Sequence, residues 1–301
     1  MAKQDYYGRT DLEHDFPTDE ACLDYLFSLS HTKECACGGE YNPLFKTTID
    51  KKGRVRLTGR KQYQCSKCRY QIAPMTDSIF EKSHLPLKQW FHAILIFSNA
   101  KSGISAKEMQ RQLNVTYKTA YRVLKQIRDS IGQDTTPLRG NVEMDEAFFG
   151  GKGNGGKYNK NYSDVMASKA KVIAAIEREG DMRAKKVPNL TAKTIDGFLK
   201  DNVQIENTRL LTDESNRYDN ASKEYHRESV NHSKKEYARG DIHINHVEWF
   251  WKHVKASLRG TYKSISQEQL QSYLDQFVWH WNNRGNDRLR FASLLSAVVK
   301  K

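Results

Sequence analysis

The sequence predicts a mixed α/β protein in which small modules precede a larger α/β region. Three observations support this prediction: four of the five cysteines fall in two close pairs, helical periodicity follows them, and strands alternate with helices after Gly140. The length of 301 residues agrees with it, since it suffices for about two domains with small modules besides. We expect four regions, which are residues 1–30, 31–75, 85–131 and 139–301.

The charge balance suggests a nucleic-acid partner. The chain has 49 Lys and Arg against 36 Asp and Glu, and residues 51–138 alone hold seventeen basic against five acidic side chains. A positive field favours binding to a phosphate backbone because counterions are released, although the same charges can form a merely solvated surface. No apolar run approaches the roughly 20 residues that a membrane span needs, and no signal-peptide pattern is present. Because the odd cysteine count and the two close pairs also favour a metal site in a reducing compartment over disulfides, we expect a cytoplasmic protein with no membrane contact.

The first predicted helix covers Asp19 to Ser28, with Thr18 as its N-cap and an apolar face that includes Leu23 and Phe27. Cys22 lies on this helix, and we interpret it as a core residue. From His31 to Ala73, turn formers and short alternating stretches predict a small β-rich module.

Two cysteine pairs lie within this β-rich module. Cys35 and Cys37 are separated by 27 residues from Cys65 and Cys68, and four thiolates on two turns are the ligands of a tetrahedral structural Zn²⁺. The first pair is unusually tight, so His31 or a neighbour is an alternative ligand. Buried cysteines without a metal are the other alternative.

The next region is predicted to be helical and basic. Leu85 to Ala100 form a core helix, and Ser105 and Thr116 each begin a further helix, the second running to about Ser130. Two short helices with a tight turn suggest a helix-turn-helix, with an ordinary helical hairpin as the alternative. We expect four basic side chains of the second helix to point outward: Lys118, Arg122, Lys125 and Arg128.

A linker around residues 132–140 leads into the α/β region. Predicted strands are Asn141–Phe149, Lys171–Glu177 and Thr208–Leu211, with a helix over Thr191–Lys200 before the third. The Gly-, Lys- and Asn-rich stretch Gly150–Tyr162 is too polar to pack and predicts a mobile loop.

Three acids in this region form a candidate active site. Asp145 and Asp213 follow strand-like segments, and Glu248 lies early in a helix that begins near Asn245. Carboxylates at these places can converge on two divalent cations, Mg²⁺ or Mn²⁺, which would activate a nucleophile in phosphoryl transfer. Taken singly, an Asp after a strand is commonly a turn or cap residue. Lys252 and Lys255 continue the polar face of the helix and could hold a DNA backbone across the site.

The stretches VEMDEAFFGGK, LLTDES, HINHVEWFWKHVKASLRGTY and FVWHWNNR closely resemble insertion-sequence transposases of the DDE type, in the group with an N-terminal zinc ribbon. The chain is similar to the family numbered fifteen ninety-five, from the cysteines to Arg284. The resemblance implies an RNase H-like catalytic core with Asp145, Asp213 and Glu248 as the metal-binding triad and Lys255 as the helix lysine. Asn245, which has the same spacing to Lys252, is the alternative third residue.

The function implied by this resemblance is a DNA transposase. It would bind the terminal repeats of its element through the ribbon and the helix-turn-helix, cut DNA with metal-activated water, and join the freed 3′-hydroxyl to target DNA. Lys118, Arg122, Lys125 and Lys252 are candidate DNA contacts, and a homo-oligomer is expected because two element ends must meet. The alternatives are a transposase-derived DNA-binding regulator without catalysis and a nuclease that does not transfer strands.

Overall fold

The computed structural model describes residues 6–49, 51, 53, 55–150 and 168–299, with only the backbone described for 45–49 and 55–61. The chain divides into two compact units. The first contains the described parts of residues 1–99, 106–130 and 286–301, and the second contains those of residues 100–105 and 131–285. No described helix combines the length and the apolar character required to cross a membrane.

The first unit begins with two helices and a small sheet. Helix α1 covers Arg9–Asp15 and α2 covers Asp19–Ser30, where Thr18 Oγ1 accepts a hydrogen bond from the backbone N–H of Ala21 at 3.3 Å, as an N-cap does. Strands β1 (Tyr41–Ile49), β2 (Val55–Cys65) and β3 (Gln71–Ile72) then form an antiparallel sheet in the order β1-β2-β3. The β-rich module and the helix predicted over Asp19–Ser28, which is α2, are thus present where the sequence predicted them. Helix α1 is an addition to the prediction.

Four further helices complete the first unit: α3 (Leu87–Asn99), α4 (Ala106–Leu113), α5 (Tyr117–Ser130) and α10 (Arg290–Val299). An aromatic cluster joins the end of α1 to α3 and α10. Phe16, which follows α1, contacts Phe91 of α3 with ring centroids 4.9 Å apart and Phe291 of α10 with centroids 6.0 Å apart. The sequence analysis assigned residues up to 301 to the α/β region, whereas the structure places α10 in the first unit.

The second unit is built on a five-stranded mixed sheet. Its strands are β4 (Leu138–Phe149), β5 (Ala170–Glu177), β6 (Met182–Val187), β7 (Val203–Asp213) and β8 (His226–Val230), in the order β6-β5-β4-β7-β8. Antiparallel pairing joins β4 to β5 and β5 to β6, whereas β4 with β7 and β7 with β8 are parallel. The predicted α/β character is confirmed, and the two edge strands β6 and β8 are additions to the prediction.

Helices cover both faces of this sheet. On one face lie α6 (Ala192–Asn202) and the short α7 (Ala221–Glu224), which pack on a core that includes Val142, Met144 and Leu210. On the other face lie α8 (Asn245–Ser257) and α9 (Leu270–Asn282), which pack on Ala147, Phe149 and Leu211 among others. Because side chains alternate between the two faces along a strand, Val142 and Met144 of β4 face α6 and α7, whereas Ala147 and Phe149 face α8 and α9. Of the predicted mobile loop, Gly150 is described and the rest lies outside the described residues.

Candidate functional site

Two acidic side chains lie side by side on neighbouring parallel strands. Strands β4 and β7 pair with Val142 opposite Leu210 and Glu143 opposite Leu211, and Asp213 is the last residue of β7. Continuing this register brings Asp145 opposite Asp213 on the sheet face that α8 covers. Oxygens of Asp145, Glu146 and Asp213 all lie within 4.8 Å of one another. The structure thus unites the first two acids of the predicted triad and adds Glu146 to them.

Burial and mutual repulsion raise the pKa values of two of these carboxylates. Burial raises the pKa of Asp145 to about 6, and the charges of Asp213 and Glu248 act in the same direction. Burial also raises the pKa of Glu146 to about 7, with further contributions from Asp145 and Asp213. Glu146 Oε1 is buried, and the charge of Arg217 and the hydroxyl of Tyr218 act against the rise in the pKa of this carboxyl. A cluster of partly buried carboxylate oxygens with raised pKa values fits a divalent cation, which prefers oxygen ligands.

Glu248 approaches this cluster from the first turn of α8. Its charge contributes to the raised pKa of Asp145, and its carboxylate lies 3.6 Å from Lys252 Nζ and 3.9 Å from His232 Nε2. Asn245, the first residue of the helix, is exposed, and its backbone N–H donates to His243 Nδ1 at 3.4 Å. The position of Glu248 therefore favours Glu248 over Asn245 as the third residue of the candidate triad.

A buried glutamate attaches the start of α8 to the sheet. Glu143 is 0% exposed and lies two residues before Asp145 on the same face of β4. Its Oε2 accepts hydrogen bonds from the backbone N–H groups of His246 at 2.8 Å and Val247 at 3.4 Å. Its Oε1 accepts from Arg178 Nε at 2.8 Å and lies 2.8 Å from His246 Nδ1 and 3.2 Å from His243 Nδ1. The carboxylate thus caps the positive end of the helix that carries Glu248.

Glu143 was not predicted as a site residue, although the sequence carries a signal for it. An acid between Val142 and Met144 in an apolar strand occupies a position that has to be satisfied by partners. The strand alternation also places it on the face of Asp145. The carboxylate could in principle join His243 and His246 as a metal ligand, since their ligand atoms also lie within 4.8 Å of one another. Arg178 already donates to this carboxylate and contacts His243, so a cation is not needed to neutralise it.

The two predicted helix lysines have different environments. Lys255 Nζ lies 5.7 Å from the ring centroid of Phe149, and burial lowers the pKa of this lysine, an effect that the nearby Asp145 opposes. Lys252 is exposed and lies beside Glu248. Trp251, between them in sequence, packs edge-on against Phe149 with ring centroids 5.7 Å apart, and its side chain approaches Asp145 and lowers the pKa of that carboxyl.

The four paired cysteines converge in the first unit. Sulfurs of Cys35, Cys37, Cys65 and Cys68 lie within 4.8 Å of one another, with 3.7 Å between Cys35 and Cys68 and 3.4 Å between Cys37 and Cys65. Tetrahedral Zn–S bonds of about 2.3 Å would separate sulfurs by roughly 3.8 Å. Gly39 lies so close that an added Cβ would stand 2.7 Å from Cys65 Sγ. The arrangement is compatible with Zn²⁺.

The alternative ligand and the fifth cysteine lie apart from this cluster. His31 packs against Phe27 with ring centroids 5.4 Å apart, and it is absent from the group of converging ligand atoms. Cys22 is fully buried in α2, as expected of a core residue.

Helices α4 and α5 are joined by residues 114–116, with Asn114 in the left-handed conformation at φ 51°. Lys118, Arg122 and Lys125 are exposed on α5, and Lys125 forms an ion pair with Asp129. Arg128 contradicts the prediction: it is only 3% exposed. It follows the buried Ile127 at the margin of the apolar face of α5, and its guanidinium Nη1 is buried together with its aliphatic stem.

Two comparisons with known proteins bear on these sites. Residues 137–282 match the family model described as the ISXO2-like transposase domain. A protein of Halobacterium salinarum, described as an uncharacterized protein in transposable element ISH50, is 26% identical over 232 residues. This similarity covers 72% of the chain and 77% of the relative. The matched family region includes all three predicted acids and the two helix lysines.

Proposed function

Because residues 137–282 belong to the ISXO2-like transposase family, we propose that this protein is a DNA transposase that cleaves element ends and joins them to target DNA. The observation that carries the proposal is that carboxylate oxygens of Asp145 and Asp213 lie within 4.8 Å of each other on parallel strands, while Glu248 on the helix packed over them acts on Asp145 through its charge. We further propose that the five-stranded sheet with helices on both faces is the RNase H-like core that the sequence resemblance implied.

The acidic cluster is proposed to hold divalent metal, either Mg²⁺ or Mn²⁺. Its oxygen-only donors and its raised pKa values support this. When bound, such ions supply Lewis-acid activation of the attacking hydroxyl and charge stabilisation of the leaving oxygen. Asp145, Asp213 and Glu248 would hold the ions, and Glu146 is an additional candidate ligand.

The remaining residues of the site would position the DNA. Lys252 and Lys255, four and seven residues after Glu248, present ammonium groups that can contact phosphates beside the carboxylates. Glu143 would hold α8 at a fixed distance from β4, so that Glu248 stays close to Asp145. This anchoring matters because catalytic groups displaced by about 1 Å can lose two orders of magnitude in rate.

The first unit is proposed to recognise DNA. Its cysteine cluster would bind Zn²⁺ as a ribbon, and α4 with α5 would act as a helix-turn-helix. Lys118, Arg122 and Lys125 are exposed along α5 and are proposed to contact the terminal repeats of the element. Two such ends have to be held together during transposition, which makes a homo-oligomer the expected working form.

The experiment is cleavage and strand transfer of labelled DNA from the ends of the protein's own element, with Mg²⁺ present. Joined products should form with wild type and be absent with Asp213→Asn. The matched control is Asp201→Asn, because Asp201 is an exposed acid that forms an ion pair with Lys185 at 3.5 Å. Binding without cleavage by wild type would favour a DNA-binding regulator, and cleavage without joined products would favour a simple nuclease.

A further inference from the structure

A cavity of about 460 Å³ opens in the second unit beside the acidic cluster. Its walls come from the end of β4, the start of β5 and the segment that follows α8. Phe149 and Lys255 line it, and both also take part in the candidate active site, where Lys255 interacts with Asp145. The cavity is therefore a continuation of the face on which the three predicted acids lie.

The described lining of this cavity is basic. It includes Lys169, Lys255, Arg259 and Lys263, and no described lining residue is acidic. Within the described part of the chain, no carboxylate lies within 4.0 Å of any of these four cationic groups. Burial lowers the pKa of Lys255, and the charges of Arg259 and Lys169 add to this effect. Asp145 acts on Lys255 from outside the lining, and the remaining positive charge around one hollow makes it a site for an anion.

The wall that carries two of these cations has an unusual backbone. After α8 the chain makes a π-helical turn over Leu258–Tyr262. Such turns are rare in proteins, and those that occur are often found at functional sites. Lys263 then adopts φ 64° and ψ −54°, and the N–H of Ser264 donates to the carbonyl of Tyr262 at 2.7 Å. These angles and this hydrogen bond define a γ-turn of the rare form in which φ is positive. This form is strained at Lys263 because the residue carries a side chain.

The strained turn is held in place from inside the unit. The Tyr262 ring packs edge-on against Tyr273 with centroids 4.7 Å apart, and its hydroxyl donates to Gln276 Oε1 at 3.1 Å. The ring lies so close to Gly103, which has φ 81°, that a side chain at that position would collide with it. Tyr262 thus fixes the conformation in which Arg259 and Lys263 face the same hollow.

We propose that this cavity binds backbone phosphates of the DNA strand that passes through the active site, a short distance from the phosphate that reacts. This inference rests on the proposed function, because it takes DNA as the substrate. Glu248 and Lys255 are separated by seven residues of helix, or about 10 Å at 1.5 Å per residue. At the 3.4 Å axial rise per base pair of duplex DNA, this span corresponds to about three base pairs between the bound phosphates and the reacting one.

The size and composition of the cavity agree with a nucleic-acid strand. Apolar side chains of Phe148, Leu258 and Ile265 share the lining with the four cations. Cations contact phosphate oxygens while apolar groups pack on sugars or base faces, a combination that suits single-stranded segments. A site for a small phosphate compound would need the cations but not this extended apolar wall.

The experiment measures DNA affinity as a function of salt for the full chain. Fluorescence anisotropy of a labelled short oligothymidylate and of a labelled duplex is followed as KCl is raised between about 50 and 200 mM, which gives the slope of log affinity against log salt. Arg259→Gln and Lys263→Gln should each make the slope shallower by about 0.7 on the single strand or 0.9 on the duplex. The double variant should show about twice that change.

Two controls keep the result interpretable. Lys193→Gln removes an exposed cation from α6, on the opposite face of the sheet, and should leave the slope unchanged. Lys263→Gly removes the cation while suiting the positive φ, so it should fold at least as well as wild type and still show the shallower slope. Slopes of the Arg259 and Lys263 variants equal to that of Lys193→Gln would overturn the proposal.

The outcome is separable from that of the transposase proposal. If wild type cleaves element ends and the slopes do not change, only the cavity inference fails. If the slopes change as expected and no variant or wild type cleaves DNA, the cavity is a DNA-phosphate site and the transposase proposal fails. Inorganic pyrophosphate is the third probe: tight binding that Arg259→Gln abolishes, with DNA slopes unchanged, would assign the cavity to small phosphate compounds and overturn the proposal.

Discussion

Replacing Glu143 tests how the helix that carries Glu248 is attached to the sheet. In Glu143→Gln the side chain keeps its shape and one carbonyl acceptor but loses its charge. Arg178, whose side chain is 15% exposed, would then lack its ion-pair partner, and one of the backbone N–H groups at the start of α8 would lose a charged acceptor. We expect the variant to fold, with a clearly lower free energy of unfolding and with α8 less firmly attached.

The size of the effect follows from these contacts. Removing one partner of a buried ion pair costs about 3–5 kcal/mol, and a hydrogen bond to a charged group contributes about 1.5–3 kcal/mol. Because glutamine retains part of the hydrogen bonding, we expect a loss of about 3 kcal/mol for Glu143→Gln and about 4–5 kcal/mol for Glu143→Ala. For a unit of this size, about 3 kcal/mol lowers the melting temperature by about 6–12 °C.

The assay is thermal and urea unfolding of purified protein followed by circular dichroism, with Glu206→Gln as the matched control because Glu206 is exposed on β7. A double-mutant cycle with Arg178→Met isolates the pair, since the combined loss should be smaller than the sum of the single losses. If Glu143→Gln unfolds within about 0.5 kcal/mol of Glu206→Gln, the scale of ordinary surface changes, the reasoning is refuted.

Three further results are expected. Burial raises the pKa values of Asp145 and Glu146 to about 6 and about 7, above unfolded values near 4, so the native state holds more protons between about pH 4 and 7. The free energy of unfolding of metal-free protein should therefore fall as pH rises through this window, and Glu146→Gln should weaken that dependence in melts from pH 5 to 8; an unchanged dependence would contradict the burial argument. Purified protein should contain one Zn²⁺ per chain by elemental analysis, and Cys65→Ser should contain none; equal zinc in both would show that the cysteines are not its ligands. Arg122→Gln should reduce the salt slope of duplex binding by about 0.9, whereas Arg9→Gln, on α1, should match wild type; equal slopes for both would remove Arg122 from the DNA contacts.

Local pattern was enough to locate the elements around the acidic cluster. The apolar alternation in β4 and β5 and the helical face of α8 gave the sheet face and the helix that the structure brings together. Edge strands β6 and β8 escaped because their sequences, MRAKKV and HRESV, are dominated by charged and polar residues. Such composition is typical of sheet edges, where it discourages pairing with another chain, and it hides the strand from a search for apolar alternation.

The remaining differences come from long-range packing. The apolar residues of α10 predict a buried helix, but nothing in a single sequence tells which unit it joins, and the structure places Phe291 against Phe16 and Phe91. Glu143 was missed for a related reason: its partners Arg178 and His246 lie 35 and 103 residues away in the chain. The choice between Asn245 and Glu248 likewise depends on where the helix sits over β4, which helical spacing alone leaves open.

The placement of α10 has a consequence for the order in which the protein matures during synthesis. About 160 residues separate Ser130 from Arg290, so at about 5–20 residues per second the ribosome needs roughly 10–30 s between making α5 and making the helix that completes the same core. During this interval the second unit can collect all its strands, whereas the apolar surface that Phe291 will cover stays open. The nascent protein is thus expected to acquire its acidic cluster before its first unit closes, and a chaperone that shields the surface around Phe91 would have its longest opportunity there.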